Sequence, residues 1–313
     1  MDLQTAFDLA KKQLDHGNLK EGYLMDDGRF YPAYYTRKEW ESFLNYMETN
    51  YPIAHHSFDD GNGGELEEKR FRGKLVPPKM ASYGSSSRFL FMLAKDIPHF
   101  EFECKLPISI PGPRPGTETE ASLDGYLPSK QIFVEAKCHE IYKPSRHDHN
   151  VKYDAFYDFL MDGTNGRFSW GLDKGVSRRG NPYEYFSYYW DGHRIESYDI
   201  KQVLCHMLGI GKKCLTEHYF ENVQLLYLVY KPENDLLSFV DNHQTRDLIV
   251  AAWEKEKKEA ESIDYSLVFQ SILLFLRNHQ HIALDLSEDD INKLAGKFSF
   301  SFCNQHDFMS FIE

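Results

Sequence analysis

Apolar residues at helical spacing open the chain. Two sets recur every three or four positions: Leu3, Phe7, Ala10 and Leu14, then Trp40, Phe43, Leu44 and Met47 after Thr36. This spacing is typical of the buried face of a helix. Segment 56–64 is rich in Asp and Gly and predicts a loop. We therefore expect a helical N-terminal region over 1–64.

The apolar pattern then predicts a mixed core over 65–232. Serines 85–87 precede a helix whose apolar face we assign to Phe89, Leu90, Met92 and Leu93. The period becomes extended over 100–137, with a Pro/Gly loop at 107–116, which indicates three strands. An amphipathic pattern over 200–209 predicts a helix ending at Gly209 and Gly211, and the apolar run 223–230 predicts a buried strand. The order is helix, three strands, helix, strand, an α/β core.

Two segments lie outside this order. Residues 141–198 have no strong period, and we treat them as an insertion whose aromatic residues either pack a strand or stack on bases. The aromatic residues in question are Tyr183, Tyr185, Phe186, Tyr188, Tyr189 and Trp190. Residues 233–313 are predicted as a helical C-terminal region packed on the core, with a last helix capped by Ser287.

Composition narrows the class of protein. The 313 residues are 42% hydrophobic and 15% aromatic, which excludes disordered and collagen-like chains. The net charge of −12 argues against a uniformly basic surface. The densest positive run in the first half is Lys69, Arg70, Arg72, Lys74, Lys79 and Arg88. This run is either an ordinary solvated surface or a phosphate-contacting one.

Cysteine usage and the N-terminus indicate a reducing compartment. Five cysteines without CxxC spacing predict free thiols. The sequence starts without the basic, apolar pattern of a signal peptide, and its most apolar stretch is too short for a membrane span, so we expect a cytoplasmic protein with no membrane partner. Cys138, His139, His147, Asp148 and His149 are a weak zinc candidate, because their spacing is not a recognised one.

Candidate chemistry lies in segment 122–137, which predicts a hairpin around Pro128, Ser129 and Lys130. If the turn is symmetric about Ser129 and Lys130, Asp124 faces Glu135. Opposed carboxylates repel one another, so their charge must be compensated.

Strand alternation places Lys137 on the same face as Glu135, and a divalent cation would supply the remaining positive charge. Asp124, Glu135 and the Ala136 carbonyl are hard oxygen ligands suited to Mg²⁺. A bound metal polarises a phosphate and acidifies water, while Lys137 would orient the attacking water or offset charge on phosphorus.

Asp124 followed by Glu135-Ala136-Lys137 resembles the D…ExK signature of the PD-(D/E)XK nucleases, the restriction-endonuclease-like superfamily. The predicted element order over about 86–230 is similar to the core of that superfamily. The resemblance implies a further acid before the motif, for which Glu103 is the best match and Glu101 the rival. It also implies a Gln or Lys on the following helix, for which we favour Gln202 over Lys201.

The leading hypothesis is a metal-dependent endonuclease acting on DNA, with restriction or defence as its expected setting, Mg²⁺ as cofactor and Mn²⁺ as a substitute. Asp124, Glu135, Lys137, Glu103 and Gln202 form the expected catalytic set, and Asp124, Glu135, Glu103 and Ala136 the metal ligands. The alternative is a nuclease-like protein that binds nucleic acid without cleaving it. RNA stays open as a substrate and a homodimer as the assembly. The sequence has no GxxxxGK[ST] loop, which argues against an ATP-driven motor.

Overall fold

The N-terminal region consists of helices and two short hairpins. The computed structural model describes residues 2–17, 20–60, 65–71, 73–112, 117–143, 146–176, 180–217, 221–279 and 287–313. The first elements are α1 (Leu3–His16), β1 (Tyr23–Leu24), β2 (Phe30–Tyr31), α2 (Arg37–Asn50), α3 (Pro52–Asp59), β3 (Lys69–Phe71) and β4 (Lys74–Val76). Pro52 opens α3, a position where its missing N–H costs nothing, and the helix extends into the segment predicted as a loop. Positions 61–64 of that segment lie outside the described residues.

The rest of the chain alternates strands and helices. The elements are α4 (Ser86–Ala94), β5 (Glu101–Pro111), β6 (Glu118–Leu127), β7 (Ile132–Lys137), α5 (Asp154–Gly163), β8 (Phe168–Val176), β9 (Pro182–Trp190), β10 (His193–Ile195), α6 (Ile200–Thr216), β11 (Val223–Val229), α7 (Asn234–Ser238), α8 (His243–Glu261), α9 (Tyr265–His279), α10 (Glu288–Ala295), β12 (Phe298–Cys303) and α11 (Phe308–Ile312). The protein is therefore mixed α/β, and the predicted order of α4, three strands, α6 and β11 is present.

A five-stranded mixed sheet forms the centre, in the order β12-β11-β7-β6-β5. The β5, β6 and β7 strands are antiparallel neighbours, whereas β7, β11 and β12 run parallel. Every residue of β7 is buried, as expected for a strand at the middle of a covered sheet. Helix α4 packs on β6 and β7, and α6 packs on β5 and β6.

Strand β5 is longer than predicted. It runs through Pro111 because Leu106, Ile108 and Ile110 alternate into the core, so the first half of the expected loop at 107–116 is strand. Positions 113–116 lie outside the described residues. Strand β12 was missed within the region expected to be helical, although Phe298, Phe300 and Phe302 alternate with serines.

Helix α6 does not end at its glycines, as the sequence predicted, but continues to Thr216. A Cβ at Gly209 would lie 2.7 Å from the Cβ of Leu106, and one at Gly211 would lie 3.2 Å from Leu276. These glycines therefore allow α6 to approach β5 and α9 closely rather than ending the helix.

Helix α4 differs from its predicted pattern in two residues. Ser85 caps it as expected, but Met92 is exposed and Phe91 is buried in its place. Arg88 is 5% exposed, with its guanidinium 4.4 Å from the ring centroid of Tyr83. Arg88 therefore belongs to the core and not to a basic surface over 69–88; Arg72 of that run lies outside the described residues.

The insertion over 141–198 forms α5 and a separate antiparallel sheet in the order β10-β9-β8. The aromatic-rich segment is strand β9, as the first of the two interpretations expected. Its Phe186, Tyr188 and Trp190 are buried, whereas Tyr183, Tyr185 and Tyr189 are half-buried. Across the described ranges, no helix has the length and apolar character needed to cross a membrane.

We predict that Gly209→Ala lowers the free energy of unfolding by about 1–3 kcal/mol, the usual cost of overpacking. The added methyl meets the Cβ of Leu106, which cannot move without its strand. Alanine is the better helix former, so propensity alone predicts the opposite sign. Urea unfolding measures the change, and Gly211→Ala is the control because its Cβ would lie 3.2 Å or more from the side-chain atoms it meets. An unchanged or increased stability of Gly209→Ala would refute the close approach.

Candidate active site

The β6–β7 hairpin has the predicted register. Leu127 pairs with Ile132 and Gly125 with Val134, so the next residues outward are Asp124 and Glu135. The backbone pairing of the two strands ends at Gly125 and Val134. Beyond it, the Oδ2 of Asp124 accepts a hydrogen bond of 2.7 Å from the Ala136 N–H. Because the N–H and C=O of one strand residue point to the same edge, the Ala136 carbonyl also faces the Asp124 side.

Strand β5 brings Glu103 to the same place through an irregular backbone. Phe102 pairs with Gly125 and Cys104 with Leu123, and Glu103 lies between these pairs with a φ of 56°. This left-handed conformation costs roughly 1–2 kcal/mol for a residue other than glycine, and such strain is commonly kept at functional sites. Glu101 was the other candidate because regular alternation places it on the same face as Glu103, and the left-handed residue interrupts this alternation. Glu103 lines the cavity beside Asp124, whereas Glu101 is exposed and does not line it.

Lys137 joins the strand to helix α6. Its Nζ lies 2.6 Å from the Oε1 of Glu135 and donates a hydrogen bond of 2.6 Å to the Oε1 of Gln202. Asp199 caps α6 by accepting from the Gln202 N–H, which fixes the start of the helix beside the sheet. The structure thus brings Asp124, Glu135, Lys137 and Gln202 together, and the preference for Gln202 over Lys201 agrees with the cavity lining.

These side chains border a cavity of about 460 Å³. Its lining is mainly acidic and hydroxylic: Tyr34, Glu65, Lys79, Ser82, Ser85, Ser86, Ser87, Glu103, Ser122, Asp124, Glu135, Lys137, His139, Glu140 and Gln202. The wall therefore carries five carboxyl groups and two lysines.

Burial dominates the electrostatics of this wall. Burial and the charge of Asp124 raise the pKa of Glu103 to about 7. Burial raises the pKa of Glu135 to about 7, despite the opposing attraction of Lys137, and burial with the charge of Glu135 raises the pKa of Asp124 well above its usual range. Burial alone would lower the pKa of Lys137, but Glu135, Asp199 and Glu140 together raise it. Lys137 therefore keeps its proton, whereas the raised pKa values of Glu103, Asp124 and Glu135 mean that these three acids resist ionisation.

The donor set fits a hard divalent cation. All the candidate ligands are oxygens, and the Oε2 of Glu135 is buried without a hydrogen-bond partner in the described part of the chain. The oxygens of Glu103, Asp124 and Glu135 do not all lie within 4.8 Å of one another. The ammonium of Lys137 lies against Glu135 instead, so a cation held by all three acids requires their side chains to move closer together.

Three contributors escaped the sequence analysis: Glu65, Glu140 and His206. Glu65 accepts from Lys79 at 2.7 Å and from Ser87 at 3.0 Å, and the Oε2 of Glu140 accepts from the Cys138 N–H. His206 donates from Nε2 to the Ser122 carbonyl and lies 3.6 Å from the Oε2 of Glu135.

A usable signal existed only for His206. It follows Gln202 by four residues and therefore shares its helix face. Burial and the charge of Lys137 lower its pKa to about 3, so the imidazole is neutral. Glu65 and Lys79 reach the site from a distant segment, which no local pattern reveals.

The weak zinc candidates do not converge on one point. His139 contacts Asp8 at 2.8 Å, His147 contacts Asp199 at 2.8 Å, and His149 contacts Asp154 at 3.1 Å. Within the described residues, the metal-compatible group of three or more His, Cys, Asp or Glu is a different one, formed by His16, Glu21 and Glu39.

Comparisons with protein-family models, with curated proteins and with solved structures give no match for this chain.

We predict that Glu103→Gln stabilises the protein at pH 8 in EDTA by about 1 kcal/mol. The folded-state pKa of Glu103 is about 7, above its ordinary value of 4.5, so its favourable protonated form is lost as the pH rises through this window. Glutamine keeps the neutral shape at every pH, and the difference from the wild type should vanish near pH 4. Urea unfolding at both pH values measures it.

Glu101→Gln is the matched control, because Glu101 lies on the same strand but outside the cavity. Equal stability of the two variants at pH 8 would contradict the unfavourable burial of a charged Glu103 beside Asp124.

Proposed function

We propose that the protein is a metal-dependent endonuclease that hydrolyses phosphodiester bonds in DNA, with Mg²⁺ as its cofactor and Mn²⁺ as a substitute. The observation that carries the proposal is the grouping of Asp124, Glu135 and Lys137 at one cavity, with Glu103 and Gln202 beside them. Two acids and an ammonium on adjacent strand ends suit the cleavage of an anionic ester.

The chain of elements supports the same class. Helix α4, the antiparallel strands β5, β6 and β7, helix α6 and the parallel strand β11 occur in the order expected of a restriction-endonuclease-like core. In this proposal the segment between β7 and α6 is an insertion, and β12 extends the sheet at its far edge.

Asp124, Glu103, Glu135 and the Ala136 carbonyl are the groups proposed to hold the metal. When bound, the cation supplies Lewis-acid activation of the phosphate and of a water. Asp124 also keeps Ala136 in place through its hydrogen bond, which orients the carbonyl edge of β7.

Of the two roles considered for Lys137, the structure favours charge stabilisation. Its neighbours raise its pKa, so it holds its proton and is a poor general base. Gln202 accepts from the same ammonium and limits its orientations. Lys137 is thus suited to offset the negative charge that develops on the phosphate oxygens during hydrolysis.

We predict that the purified protein nicks supercoiled plasmid in Mg²⁺ or Mn²⁺ and not in EDTA. Lys137→Ala should lower the cleavage rate by about 10²-fold or more, the usual effect of losing a preorganised charge. Asp124→Asn should lower the cleavage rate to a similar extent. Because asparagine keeps an oxygen acceptor for the Ala136 N–H, we expect this variant to fold and attribute its loss of activity to the missing charge. Gel assays with plasmid, single-stranded DNA and RNA measure the rates and the substrate class.

Glu101→Ala should cleave at the wild-type rate, because Glu101 is exposed outside the cavity. Full activity in both Asp124→Asn and Lys137→Ala would disprove the assigned site. Tight binding of nucleic acid with no metal-dependent product would favour the alternative, a binding protein without cleavage.

A further inference from the structure

A second cavity of about 400 Å³ lies beside the candidate active site. It is formed by strands β9 and β10 of the insertion, the segment after β7, and the start of α6. Lys201 lines this cavity and Gln202 lines the active-site cavity. Successive helix residues point in different directions, so the start of α6 separates two neighbouring cavities.

The second cavity is rich in cations, in a chain whose net charge is −12. Its charged lining residues are Lys143, Arg146, Arg194, Glu196, Asp199, Lys201 and Lys255, with His147 beside them. Both acids already have partners: Asp199 contacts His147 at 2.8 Å, and Glu196 contacts Lys255 at 2.6 Å. Five cations against two acids leave positive charge in excess on this wall, even with Arg194 paired to Asp173.

Lys201 is the most informative of these cations. It is half-buried, with its Nζ 4.7 Å from the ring centroid of Tyr153 and 5.3 Å from that of Phe186. Within the described part of the chain it makes no hydrogen bond and no ion pair. This partial burial takes the ammonium partly out of water and lowers its pKa. An anion at this point would replace the lost hydration with a charge-assisted hydrogen bond.

The same cavity offers an aromatic surface next to its cations. The guanidinium of Arg146 lies 5.2 Å from the ring centroid of half-buried Tyr185, and buried Phe186 and Tyr188 also line the wall. Aromatic and guanidinium planes beside an ammonium suit a ligand that combines a flat base with a phosphate. Purely inorganic anions would leave this aromatic part of the wall unused.

We propose that this second cavity binds a nucleotide, with its phosphate on Lys201 and Arg146 and its base against Tyr185. If the proposed function holds, on which this step rests, the nucleotide is part of the nucleic-acid substrate. It then lies next to the phosphodiester bond that is cleaved at Asp124 and Lys137. A free nucleotide offers the same chemistry and is the other source to be distinguished.

Binding in EDTA tests the proposal without any need for cleavage. Fluorescence anisotropy of a short labelled oligothymidylate measures the affinity at several salt concentrations, and unlabelled thymidine 5′-phosphate serves as competitor. Lys201→Gln and Arg146→Gln should each weaken binding about tenfold and reduce the salt dependence by about one counterion. Lys201→Arg should retain the affinity, which separates loss of charge from loss of packing.

Lys293→Gln is the matched control, because it removes one positive charge from the exposed face of α10. Wild-type affinity in Lys201→Gln, or no binding of either probe by the wild type, would overturn the proposal. Lys201-dependent binding of thymidine 5′-phosphate without oligothymidylate binding would assign a free nucleotide.

The two proposals fail separately. Lys201-dependent binding in a protein that cleaves nothing supports the nucleotide cavity and refutes the nuclease. Metal-dependent cleavage together with binding that does not depend on Lys201 supports the nuclease and refutes the nucleotide cavity.

Discussion

The buried ion pair between Glu135 and Lys137 is the constraint around which the site is built. Both residues lie on β7, the central strand, with Glu135 1% and Lys137 9% exposed. Removing two charges from water costs several kcal/mol each, and close pairing repays this only when the remaining polar atoms have partners. Gln202 satisfies Lys137, but one oxygen of Glu135 is without a hydrogen bond among the described residues. The pair is therefore poorly explained as a device for stability, and better explained by a use for the charges.

The same pair depends on how α6 begins. Asp199 caps the helix and also contacts His147, a residue of the insertion. Gln202, in the first turn of α6, then accepts a hydrogen bond from Lys137. One series of polar contacts thus joins the insertion, the start of α6 and the central strand. These contacts fix the insertion, which has its own sheet, next to the central sheet. It also places the two cavities on either side of a single helical turn.

Local sequence rules predicted the parts of this arrangement that depend on local geometry. The hairpin register followed from the turn at Pro128–Lys130, and strand alternation then placed Lys137 beside Glu135. Strand alternation placed Glu101 and Glu103 on one face, but only Glu103 lines the candidate active-site cavity. The left-handed backbone at Glu103 interrupts the alternation, and no side-chain pattern encodes it.

Other features depend on tertiary packing. Arg88 looked like a surface charge, but aromatic faces from distant segments bury it. Gly209 looked like a helix end until the close approach of β5 was known. Glu65 reaches the cavity only because its segment folds back over α4, where it accepts from Ser87. Contacts between segments far apart in sequence decide each case, and periodicity carries no information about them.

In the proposed function, charge balance would link the binding of metal and of nucleic acid. Five carboxyl groups line the candidate active-site cavity, in their ionised form they would repel a phosphate, and the chain as a whole is acidic. A divalent cation among Glu103, Asp124 and Glu135 would reverse the local field and offset the repulsion between charged groups that helps to raise their pKa values. The proposed nucleotide cavity would supply attraction that does not depend on the metal. By thermodynamic linkage, a ligand that needs both regions binds the metal-loaded protein more tightly, and in turn tightens the binding of the metal.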